Sequence, residues 1–365
     1  MTISRRLADL GGCGRFSELV ERPGDRSELE QLVACGLVRR VHRGCYAVPG
    51  VDRAIIAATV FRAEVTCVSA ADLHDLTVLD RSDRVHLSVP RSRGTSRPGL
   101  RDGDTVVIHR EAAPPGQSSP PSLLLPSSSR AREASGRLAR AAPPTRDSPG
   151  LPRDDRSAIR PGSAPLTGKM PHLVSAPPAR VAPLASALAR VLQCQPGDRA
   201  VVTVDSALNR GLVTVDELRA VLPPTAAVRA RLVLGLVDGR SQSPAETLAR
   251  LVLRQEGLRV EPQVRILGVG RVDLLVEGFV VVETDGFRYH SDRSQFREDR
   301  RRDRELAKQG WVVVRFSFED VVRDPSRLVA DVRTVLADGA GSPHRVRDWR
   351  GGGDRWGATP VTCFT

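Results

Sequence analysis

No apolar run in this 365-residue sequence approaches the ~20 residues that a membrane-spanning helix needs, which sets membrane crossing by a helix aside. The opening stretch MTISRRLADLGG has no h-region of the kind a secretory signal carries. Aromatic residues make up only 4% of the chain, although 40% of it is hydrophobic, as suits a soluble protein with substantial cores. The six cysteines (Cys13, Cys35, Cys45, Cys67, Cys194 and Cys363) form no CxxC pair and no metal-ligand spacing. Reduced thiols in a cytoplasm are therefore expected. His74, His86 and His109 have no ligand-type partner nearby in sequence, so structural roles are expected for them.

Excess acid is also missing: the net charge is +12. Its distribution tempers the suggestion of nucleic acid. Residues 111–183 contribute +5, residues 1–110 contribute +3, and residues 241–338 contribute nothing net. Residues 111–183 also hold 15 of the 27 prolines, interleaved with Ser, Ala and Arg, and no helical or strand period survives there. A disordered linker is expected over 111–183, and a disordered tail over 339–365.

The first ordered region opens with helical patterns over 3–10, 16–21 and 25–35, the last with Asp25 as expected N-cap and Glu28 at N3. Two short strands then flank the turn His42-Arg43-Gly44 in LVRRVHRGCYAVPG. Three helices and a hairpin is the winged helix-turn-helix order, expected over 1–50. Arg39, Arg40 and Arg43 form a basic wing suited to DNA phosphates, whereas Asp25, Glu28 and Glu30 would repel them. A protein-interaction module is the competing reading. Residues 51–110 are expected to extend this region as α+β, with VHLSV a half-exposed strand. Residues 184–238 are expected to be a helical scaffold, with Thr214 and Glu217 as a capping box.

From residue 241 the predicted order is αβββαβα. Ser243, Pro244 and Glu246 are N-cap, N1 and N3 of its first helix. Two strands follow that are joined by Glu277-Gly278, and they place Asp273 within cross-strand reach of Glu283. Asp285 shares a face with Glu283, and His290 lies just beyond. Clustered carboxylates repel and raise one another's pKa unless a cation lies between them. Oxygen ligands on a hard cation argue for Mg²⁺, the ion that activates water in phosphodiester hydrolysis. Glu246 is a further candidate ligand, equally explained by its cap. Arg288, Arg300 and Arg301 are candidate phosphate contacts, with Asp299 orienting the last two and Glu298–Arg302 as an i,i+4 pair.

The αβββαβ order, with Asp273 on the second strand and VVETDG on the third, resembles the PD-(D/E)xK nuclease superfamily. More narrowly, DLLVEGFVVVETDGFRYHSD with FREDRRRDRELAKQGWVVVRF resembles domain of unknown function 559, which is related to the very short patch repair endonucleases. That resemblance covers about 241–337. It implies a restriction-endonuclease-like fold over 241–338, a Mg²⁺-dependent DNA endonuclease, and Asp273, Glu283, Asp285, His290 and Glu246 as its catalytic set, the first three as metal ligands. The superfamily pattern ends in Lys where this chain has Asp285, with His290 as the substitute base. LVRRVHRGCYAVPG and CVSAADLHDL are similar to the AbiEi-like antitoxin domain of type IV toxin–antitoxin systems. The partners implied are DNA and a cognate toxin or other protein. The alternative function is a non-catalytic DNA-binding regulator or antitoxin that keeps the nuclease fold for binding.

Overall fold

The computed structural model describes residues 1–92, 106–111, 180–222, 226, 228–285 and 293–339. They belong to one compact unit made of Met1–Ala112 and Pro177–Thr365. Arg288, His290, the body of the proline-rich stretch and the tail lie outside the described residues, as does the side chain of Asp285.

The chain begins with α1 (Ile3–Asp9), β1 (Cys13–Arg15), α2 (Phe16–Leu19), α3 (Asp25–Ala34), β2 (Arg39–His42) and β3 (Cys45–Ala47). The strands form an antiparallel sheet in the order β1-β3-β2. Gly44 supplies the positive φ of 69° that its turn requires. Ile3, Leu7, Leu19, Leu29 and Val38 close a small core over it. The expected N-cap at Asp25 is corrected: Gly24 holds that position, and Asp25 is the first helical residue. The Asp25 carboxylate instead turns inward, accepting from Arg6 at 2.5 Å and from the amides of Glu21 and Arg22 at 2.9 Å. Glu28 accepts from the Ile3 amide. These acids therefore hold α1 and α3 together.

Next come α4 (Arg53–Phe61), β4 (Glu64–Val65), α5 (Cys67–Leu73), β5 (Val85–Pro90) and β6 (Val106–Glu111). After the proline-rich stretch the chain resumes with α6 (Leu184–Cys194), α7 (Gly197–Asn209), α8 (Val215–Val221) and α9 (Val228–Leu234). A three-stranded sheet has the order β4-β5-β6, with β6 parallel to β5. β5 is buried over Val85–Val89 rather than half exposed as its alternation predicts. It is the middle strand, with α4 and α5 packed on it and Cys194 of α6 against His86. Glu111 ends β6, and Val181 bridges to Val65, so both ends of the expected linker belong to the fold. One apolar cluster joins Cys67, Val68, Ala71 and Leu76 to Leu188, Leu192, Val201 and Leu234.

The last part contains α10 (Pro244–Gln255), β7 (Val260–Ile266), β8 (Gly270–Val276), β9 (Val280–Asp285), α11 (Arg293–Lys308), β10 (Val312–Ser317), α12 (Phe318–Arg323) and α13 (Pro325–Gly339). Its sheet runs β10-β9-β8-β7, with β10 parallel to β9 and the other pairs antiparallel. This is the expected αβββαβ order, followed by two helices where one was expected, because Ser317 and Asp320 make a capping box that starts α12 early. Glu277 and Gly278 both have positive φ, 49° and 75°, as a type I′ hairpin turn demands. One face packs Leu274, Val276, Val280 and Val282 against Leu248, Leu253 and Val332; the other packs Leu275 and Val281 against Leu306.

Candidate functional site

The β8–β9 ladder pairs Val276 with Val280, Leu275 with Val281 and Leu274 with Val282. Asp273 and Glu283 are the next residues beyond it on each strand, as the turn geometry predicts. Asp273 also lies beside an irregularity that the sequence pattern hides. Leu274 packs on one face and Leu275 on the other, yet Val272 packs with Leu275 rather than with Leu274. Strict alternation thus breaks at Asp273. On the neighbouring strand Pro262 pairs with Leu274 and Val264 with Val272, leaving Gln263 between them with φ 58°. A non-glycine residue in left-handed conformation costs roughly 1–2 kcal/mol, and such strain clusters at functional sites.

Glu246 explains what the left-handed Gln263 holds. Its amide donates to Ser243 Oγ at 3.1 Å, the expected cap. Its buried carboxylate does not close the capping box but accepts from the Gln242 amide at 2.9 Å and from Gln263 Nε2 at 2.7 Å. Burial pushes the Glu246 carboxyl up, and the charge of Asp273 pushes it further. Asp273 Oδ2 accepts from the Thr284 amide at 2.8 Å and from Thr284 Oγ1 at 3.2 Å. Four strands and helices therefore contribute one residue each: Glu246 from α10, Gln263 from β7, Asp273 from β8 and Thr284 from β9.

Glu283 has a different neighbour. Its Oε1 accepts from Arg302 Nη2 at 3.2 Å, and the same nitrogen donates to the Arg271 carbonyl at 2.6 Å. The expected Glu298–Arg302 pair is corrected: Glu298 binds Arg301 at 2.6 Å, which leaves Arg302 to reach the sheet. Arg301 also donates to the Gly268 carbonyl, so internal partners occupy a side chain expected to meet phosphate. Sequence reasoning missed Gln263, Thr284 and Arg302. Only VVETDG carried a signal for Thr284, and nothing in the sequence marks the left-handed Gln263.

Arg39, Arg40 and Arg43 are exposed on β2 and its turn. They lie in the N-terminal sheet, whereas Asp273 and Glu283 lie in the C-terminal one. Among the described residues no helix is long and apolar enough to cross a membrane.

Two Mycobacterium tuberculosis proteins are 31% identical to this chain over 148 residues: Uncharacterized protein MT2308 of strain CDC 1551 / Oshkosh and Uncharacterized protein Rv2248 of strain ATCC 25618 / H37Rv. Each match covers 38% of this chain and 55% of the relative, so the chain spans about half the length of the curated relatives it matches. Residues 246–336 match the restriction endonuclease-like family REase_MTES_1575. That segment begins at Glu246 and contains Gln263, Asp273, Glu283 and Thr284, and it marks the C-terminal part of this chain as a nuclease-like domain of the restriction endonuclease type.

Proposed function

We propose that this chain is a Mg²⁺-dependent DNA endonuclease. The observation that carries the reading is the convergence of Glu246 and Asp273 at the left-handed Gln263, within a segment that matches a restriction endonuclease-like family. The donor set is oxygen only, which fits a hard divalent cation. Asp273 and Glu246 would hold it, with Glu283 joining once Arg302 gives way to the ion or the phosphate. Bound there, Mg²⁺ would supply Lewis-acid stabilisation of charge on the scissile phosphate and a more acidic water. Gln263 fixes the Glu246 carboxylate, and the Thr284 amide and hydroxyl fix that of Asp273. Asp285 and His290 are proposed to complete the site, His290 as proton relay.

The N-terminal part is proposed to be a winged helix-turn-helix that delivers the enzyme to DNA. The order α1-β1-α2-α3-β2-β3 and the exposed Arg39, Arg40 and Arg43 support this. The acids of α3 weigh less against it than their charge suggests, since Asp25 and Glu28 bond internally. The Arg302–Glu283 contact favours the alternative, a DNA-binding regulator whose third acid is neutralised permanently.

Isothermal titration of the full chain with Mg²⁺ and Mn²⁺, alongside plasmid nicking, separates the two. Asp273→Asn keeps an acceptor for Thr284, so it should fold while metal affinity and nicking fall at least ~100-fold, since even outer-shell changes cost 10–100-fold. Wild-type protein that binds neither ion and nicks nothing would leave the regulator.

A further inference from the structure

Four side chains far apart in the sequence meet between α5, β5, β6 and α6. Cys67 opens α5, His86 lies on β5, His109 on β6, and Cys194 ends α6. One ligand atom from each lies within 4.8 Å of all the others. His86 Nδ1 is 3.0 Å from His109 Nε2 and 3.8 Å from Cys194 Sγ, so one nitrogen of His86 faces both neighbours. Tetrahedral zinc with its usual bonds to sulfur and nitrogen sets donor atoms roughly 3.3–3.8 Å apart. The cluster is already near that size.

The surroundings are those of a ligand set. Gln195 Nε2 donates to Cys194 Sγ at 3.5 Å and reaches Cys67 Sγ at 3.8 Å, the hydrogen bonding that orients metal-bound sulfur. Cys67 has φ 54°, a left-handed conformation that a non-glycine residue holds only when something over-determines it. The Ser69 hydroxyl accepts from the His86 amide, and the His86 carbonyl accepts from the Thr66 amide, fixing β5 against the start of α5.

We propose that Cys67, His86, His109 and Cys194 bind a zinc ion in a closed, tetrahedral, structural site. Two sulfurs and two imidazoles select zinc over the oxygen-preferring Mg²⁺. Four protein ligands fill the coordination sphere, which distinguishes a structural from a catalytic zinc. The ion would clip the sheet that precedes the proline-rich stretch to the helix that follows it. His86 and His109 then have ligand roles instead of the structural roles that chain spacing implies.

The test uses the full, untagged chain purified under reducing conditions without added metal. Elemental analysis should find one zinc per chain, and replacement by Co²⁺ should give a tetrahedral visible spectrum with a thiolate-to-cobalt charge-transfer band. Cys194→Ser and His109→Ala should each lose the zinc, and Cys194→Ser should also weaken the thiolate-to-cobalt band. Cys35→Ser, at an exposed cysteine, and Asp273→Asn should retain both. Should the ligand variants fail to fold, a chromogenic chelator titrated into wild-type protein reads the same ion directly. Wild-type protein that carries no zinc and gives no cobalt spectrum overturns the proposal. A Cys67–Cys194 disulfide detected by mass in that protein overturns it as well.

Discussion

Arg250 of α10 and Asp205 of α7 meet at 2.8 Å, both side chains sealed from solvent. Asp205 also accepts from Thr247 Oγ1 and the Asp238 amide, while Arg250 donates to the Leu236 carbonyl. The pair fastens the helical middle of the chain to the nuclease-like segment. Burial pushes the Asp205 carboxyl up to about 6, against the pull of Arg250. Removing one partner leaves the other buried and uncompensated. Arg250→Met and Asp205→Leu should therefore each destabilise the protein by about 3–5 kcal/mol, and the double variant by less than their sum. Urea denaturation of the three variants checks this.

Arg6 and Asp25 give the N-terminal part an acid-sensitive joint. The hydrogen bond from Arg6 lowers the Asp25 carboxyl from 3.8 to about 2. Because the folded value lies below the unfolded one, the stabilisation is present in full above about pH 4 and is lost as pH falls through about 2. Thermal melts across that window should show a falling midpoint for wild type. Asp25→Asn should be less stable at neutral pH and show a flatter acid limb.

Arg39, Arg40 and Arg43 should set the salt dependence of DNA binding. Replacing all three by Gln should reduce the slope of log K against log [salt] by up to ~3, if each meets one phosphate. An unchanged slope in fluorescence-anisotropy titrations would place the DNA contact elsewhere.

Gln263 tests the left-handed position on β7. Gln263→Ala removes the donor to Glu246 Oε2 while keeping the left-handed backbone, and should cost about 1–3 kcal/mol. Gln263→Gly loses the same hydrogen bond but relieves the strain, so it should recover ~1 kcal/mol of that loss. Equal losses in denaturant unfolding would mean that the backbone stores no strain there.

Local chemistry made the C-terminal fold legible. The Ser243-Pro244 start, the Glu277-Gly278 turn and the apolar runs on either side of it are short-range signals, and each appears in place. They also put Asp273 next to Glu283. What stayed hidden depends on contacts between distant segments. Gln263 is an ordinary polar residue until Asp273 lies opposite it. His86 and His109 gain neighbours only when β5 and β6 run parallel and α6 returns over them. Spacing pairs Arg302 with Glu298, but the rotation of α11 over the sheet gives Glu298 to Arg301.

The bridge between Val65 and Val181, with the apolar cluster that joins α5 to α6 and α7, has a consequence for synthesis. The first 76 residues cannot bury Val68, Ala71 and Leu76 until Leu188, Leu192 and Val201 have been made. At ~5–20 residues per second the ribosome needs roughly 6–25 s to cover that interval. Throughout it the apolar side of α5 waits without its cover, and closing so long a loop slows the search further. Truncation before about residue 190 should therefore leave an aggregation-prone fragment rather than a small folded domain.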